Sequence, residues 1–71
     1  MSRVTNLLPS FVSAISEVYN NEGDHEARQK NFNNAIYFYT AGIKVNCKDD
    51  ELRARLYCNR TTAHFYLGWK L

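Results

Sequence analysis

The sequence predicts an all-α fold of three helices, the first two packed as an antiparallel pair. Apolar residues recur at helical spacing along three segments, only one proline interrupts the chain, and small residues fall where two helices would cross. From Leu7 the apolar positions run Leu7, Leu8, Phe11, Val12, Ile15, Val18 and Tyr19, which reads as one stripe of an amphipathic helix. Its start is placed at Pro9 or Ser10, because proline is tolerated in the first turn and serine caps it. Residues 1–8 then form a separate N-terminal segment.

Asn20-Asn21-Glu22-Gly23-Asp24 looks like a break, since glycine costs roughly 1 kcal/mol in a helix interior. A packing role for Gly23 competes with that reading and is preferred, which extends the first helix over residues 9–29. The second helix, over residues 33–46, puts Ala35, Ile36, Tyr39, Gly42 and Ile43 on one face, flanked by Phe32 and Phe38. Lys48-Asp49-Asp50-Glu51 brings a capping residue and acidic first-turn charge to a third helix over residues 50–67, with Leu52, Leu56, Ala63 and Leu67 along it and Gly68 as its end.

A chain of 71 residues is one domain at most, and one of this size buries only roughly 60% of its unfolded surface. Its stability is marginal, so a binding partner matters. A net charge of +2, spread along the chain, argues against nucleic acid or an anionic membrane as ligand. Cys47 and Cys58 have neither CxxC spacing nor a nearby histidine, which leaves two free thiols, no metal and a reducing compartment, cytosolic or nuclear. No secretory signal is read before Pro9, and no stretch approaches the roughly 20 apolar residues of a membrane span. In that compartment the Asn59-Arg60-Thr61 sequon is inert.

Catalysis finds no support. His25 and His64 have no nucleophile or paired carboxylate at fixed spacing, and no Gly-rich phosphate loop appears. Glu22, Asp24 and Glu26, with Arg28 and Lys30 behind them, read as a solvated helix face. Tyr37, Phe38, Tyr39, Phe65, Tyr66 and Trp69 read mostly as packing residues.

Gly23, Ala35 and Gly42, separated by twelve and then seven residues, let two antiparallel helices approach closely. With Phe32 at the turn, Tyr39 on the second helix and the run Leu56-Tyr57-Cys58-Asn59-Arg60-Thr61-Thr62-Ala63, they resemble the tetratricopeptide repeat, a helix-turn-helix unit of 34 residues. The resemblance covers about residues 18–71. It implies a first repeat over residues 9–47 with an extended first helix, and the first helix of a second repeat over residues 48–71. Gly23 and Thr61, at equivalent positions, stand 38 residues apart, so the link between repeats is longer than usual.

The run from Leu56 is similar to that of chaperone-associated members, which implies a non-enzymatic peptide binder for the C-terminal tails of the heat-shock proteins Hsp90 and Hsp70, with no cofactor. The resemblance carries peptide-binding positions onto Asn20, Asp24, Asn59 and Thr62. Where the family's clamp has Lys and Asn on its first helix, this chain has Asn20 and Asp24, and only Asn59 keeps the family residue. The clamp is therefore expected to be weakened, as in a shortened or diverged relative. Phe65, Tyr66 and Trp69 fall where a further helix would pack, so they form an expected interaction patch. The alternatives kept open are a scaffold or homodimer paired through the last helix, and a non-functional truncated form.

Overall fold

A computed structural model describes the backbone of residues 2–69 and the side chains of residues 10–68. Three helices follow one another: α1 (Ser2–Arg28), α2 (Phe32–Val45) and α3 (Asp50–Trp69). Contacts between α1 and α2 pair Glu26 with Asn34, Gly23 with Tyr39 and Ser16 with Gly42, so the two helices run antiparallel. Gly42 with Leu56 and Thr40 with Arg60 give α2 and α3 the same relation. The expected all-α hairpin with a third helix is what the chain forms.

Local chemistry explains the joints. Lys30 takes the left-handed conformation at φ 64, with Asn31 N–H donating to Glu26 O at 2.9 Å and Lys30 N–H to Ala27 O at 2.9 Å. This is a Schellman closure of α1 with lysine at the position glycine usually fills. Asn46, also left-handed at φ 56, closes α2 by donating its N–H to Ile43 O. Asp49 caps α3: its carboxylate accepts from Leu52 N–H at 3.1 Å, and Asp50 and Glu51 add first-turn charge.

Two boundaries differ from expectation. α1 starts at Ser2, with Pro9 inside it, instead of at Pro9 or Ser10. A proline removes one hydrogen bond from the ladder, and the turns on either side keep theirs. The helix also runs unbroken through Gly23, as the packing reading requires. Gly68 lies within α3, in its last turn and without positive φ, so it does not stop the helix.

The core consists of Ala35, Tyr39, Cys47, Leu52, Leu56 and Ala63, with Val12, Ala27, Phe32, Ile36 and Ile43 packed around them. The apolar stripe expected to bury α1 is only partly inside: Phe11, Ile15 and Val18 are exposed, whereas Ser16, Asn20 and Gly23 are buried. Small side chains let the helix axes come close, and that requirement overrides the hydrophobic count in choosing the face. Ser16 Oγ donates to Gly42 O at 3.0 Å, serving a carbonyl in the last turn of α2 where the helix runs out of N–H donors. Gly42 itself sits where all three helices meet, against Leu56 and Tyr19. Tyr37, at 68% exposed, is not the packing residue it was read to be, and Phe65 is 61% exposed; of the six aromatics in that group Tyr39 alone is buried among the described residues. Cys47 is buried and Cys58 exposed, both free thiols.

Candidate peptide groove

The last turns of α1, after Asn20, and the second half of α3 flank an open groove of about 650 Å³. Its walls are Asp24, Ala27 and Arg28 from α1, Asn59, Thr62, Ala63 and Tyr66 from α3, with Phe32 and Lys30 at the interhelical turn and Tyr39 at the base. The helical register orders these residues: Asp24 faces Asn59 at one end, and Tyr66 meets Phe32 near Lys30 at the other.

The Asp24 end is tightly bonded. Tyr39 Oη donates to Asp24 Oδ1 at 2.5 Å, and Asn59 Nδ2 donates to Asn20 Oδ1 at 3.0 Å and to Asp24 Oδ1 at 3.4 Å. Burial, then the hydrogen bond to Asp24 and the charge of Asp24, hold the Tyr39 hydroxyl well above its ordinary pKa, so it remains a donor. Gly23 makes this network possible: a Cβ there would lie 2.4 Å from the Tyr39 ring. The other end is aromatic, with Phe32 and Tyr66 stacked at 5.5 Å and Phe65 edge-on to Tyr66 at 5.5 Å.

Of the positions that the sequence singles out, Asn20, Asp24 and Asn59 are thus brought into one network, and Thr62 lines the same groove. Asn20 is 1% exposed and lies beneath the groove, not on its walls. The Thr62 hydroxyl donates back to Cys58 O at 2.9 Å. Tyr66 does not stand free on the outer face but belongs to the groove, while Phe65 is open to solvent; the Trp69 side chain lies outside the described residues. Sequence reasoning assigned Arg28 and Lys30 to a solvated face and gave Phe32 no part in binding. Their place at the turn that follows Asp24, between α1 and α2, was the available signal.

Among the described residues no group of three or more metal-ligating side chains gathers, and no helix is long and apolar enough to cross a membrane. A helical hairpin continued by a third helix, with an open groove beside it, is the kind of unit that stacks in helical-repeat proteins.

Comparison with known proteins agrees. The chain is 40% identical over 53 residues to human tetratricopeptide repeat protein 4 and 38% identical over 53 residues to the mouse protein, in each case 75% of this chain. A Drosophila melanogaster protein named as a DNA polymerase interacting, tetratricopeptide repeat-containing protein of 47 kDa is 39% identical over 49 residues, 69% of this chain. The chain belongs to the tetratricopeptide repeat proteins and is related to tetratricopeptide repeat protein 4. It spans 14% of the human relative's length and 12% of the Drosophila one's. No protein-family model and no solved structure matches it significantly. The relatives and the all-helical fold support a module for protein–protein interaction.

Proposed function

We propose that the groove holds an extended segment of a protein partner in the manner of the chaperone-associated repeats, with a weakened grip on the acidic tails of Hsp90 and Hsp70. The observation that carries this reading is the state of Asn59. Its side-chain amide nitrogen donates to two protein oxygens, Asn20 Oδ1 at 3.0 Å and, more weakly, Asp24 Oδ1 at 3.4 Å. A ligand carboxylate arriving there must break one of these bonds and face the Asp24 charge.

Charge-assisted hydrogen bonds are roughly twice as strong as neutral ones, and losing a desolvated charge partner costs about 2–5 kcal/mol. At the lower end of that range, binding of an acidic C-terminal peptide is at least about 30-fold weaker than in a complete clamp. Calorimetric titration with such a peptide tests the proposal; micromolar binding by the unaltered chain refutes it. The double change Asn20→Lys with Asp24→Asn is expected to recover part of the loss.

A second reading, pairing of two copies through α3, draws support from Phe65, which stands 61% exposed beside the half-exposed Tyr66. Symmetric pairing would cover that face. Sedimentation over a range of concentrations tests it, and a monomer throughout refutes it.

A further inference from the structure

We infer that the groove selects a segment with a basic side chain and an acidic side chain two positions apart, the basic one on Asp24 and the acidic one between Arg28 and Lys30. This rests on the reading of the groove as a peptide site. It differs from that reading in the ligand, because an acidic tail offers nothing for Asp24.

Asp24 is the half-satisfied group of the groove. Both of its hydrogen bonds, from Tyr39 Oη and Asn59 Nδ2, end on Oδ1. Oδ2 receives none among the described residues. No buried side-chain oxygen or nitrogen among those residues is without a partner, so Oδ2 opens to solvent on the groove side. The two bonds on Oδ1 fix the carboxylate's orientation before a ligand arrives. An ammonium or guanidinium on Oδ2 completes it with a charge-assisted bond and no rearrangement.

Arg28 and Lys30 supply the opposite sign. Both line the groove, and neither forms an ion pair among the described residues, where Glu51 with Arg55 is the one pair present. Lys30 is held at the Schellman turn by its left-handed backbone, not left on a mobile tail. A basic ligand group at Asp24 also meets the repulsion of these cations, but they are exposed and act through screened solvent, whereas contact at Oδ2 is direct. Contact therefore dominates.

The spacing follows from geometry. From Asp24 to Arg28 is one helical turn, roughly 6 Å along α1. Two residues of extended peptide cover roughly 6.6 Å and put their side chains on the same face. The intervening side chain points away, and a residue beyond the acidic one reaches the stacked rings of Phe32 and Tyr66.

The test uses fluorescein-labelled peptides, the first two blocked at both ends, and anisotropy titration of the full chain. One peptide carries Lys-Ala-Glu, a second replaces its lysine with norleucine, and a third is an acidic peptide with a free C-terminal carboxylate. The lysine peptide is expected to bind at least about 10-fold tighter than either of the others at low salt, with the gap narrowing as salt rises. Asp24→Asn, which keeps an oxygen for Tyr39 and Asn59, is expected to erase the difference between the lysine and norleucine peptides. Circular dichroism of that variant establishes that the helices remain. Equal binding of lysine and norleucine peptides, or a preference for the acidic peptide, overturns the inference and leaves the groove as a peptide site. Absence of binding by all three at millimolar concentration overturns both.

Discussion

Gly23 and Gly68 offer the same substitution in opposite surroundings. An alanine Cβ at residue 23 would stand 2.4 Å, 2.6 Å and 2.9 Å from three atoms of the Tyr39 ring. That ring cannot simply swing away: it is 2% exposed and its hydroxyl is bonded to Asp24. Overpacking of this kind costs about 1–3 kcal/mol, while replacing a helical glycine by alanine returns roughly 1 kcal/mol. Gly23→Ala is therefore expected to destabilise the chain by up to about 2 kcal/mol. At Gly68 an added Cβ meets nothing within 4 Å, and only the helical gain remains, at most about 1 kcal/mol so near the end of α3. A change of 1 kcal/mol moves Tm by about 4–8 °C in a domain of this size. Thermal and urea melts followed by circular dichroism should give opposite shifts for the two variants. An increase in Tm for Gly23→Ala, matching that of Gly68→Ala, refutes the close approach of α1 to Tyr39 and with it the argument for an unbroken first helix.

Gly42→Leu should cost at least about 1–3 kcal/mol in the same melts, because even a Cβ would lie 2.8 Å from Leu56 and 3.2 Å from Tyr19. Ser16→Ala should cost about 1–3 kcal/mol by leaving Gly42 O without its buried donor, and Ser16→Thr is not expected to restore it fully in so tight a site. Asp49→Ala removes the cap of α3 and should lower stability by about 1 kcal/mol. The raised pKa of Tyr39 sets the sign of the alkaline response: the hydroxyl's contribution is intact below its ordinary value of 10.0 and is lost as pH rises above it. Urea melts of Tyr39→Phe should accordingly show less loss between neutral and strongly alkaline pH than the unaltered chain; identical slopes would exclude Tyr39 as the source.

The sequence by itself determined the three helices, their order and the pairing of the first two, while the contact it placed for Gly23 at Ala35 or Gly42 falls on Tyr39. Periodicity marks three segments, Asp49 announces the third, and the spacing of Gly23, Ala35 and Gly42 is enough to pair the first two, because helix geometry is local and small residues have few other uses inside helices. The same local signals misplaced what depends on partners. Lys30 closes α1 in a conformation usually left to glycine, and nothing local distinguishes it from a solvated lysine. Phe11, Ile15 and Val18 were legible as an apolar stripe, yet the tertiary structure turned Ser16, Asn20 and Gly23 inward, since the tight seam against Tyr39 and Gly42 admits only small or hydrogen-bonded side chains. Asn20, Asp24 and Asn59 were nameable as positions but not as a network. Their meaning changed once folding, across separations of 35 and 39 residues, directed the Asn59 amide onto Asp24 and Asn20 and left one oxygen of Asp24 open to the groove. Hydrogen-bond direction is a property of assembled helices, and no pattern along a single chain records it.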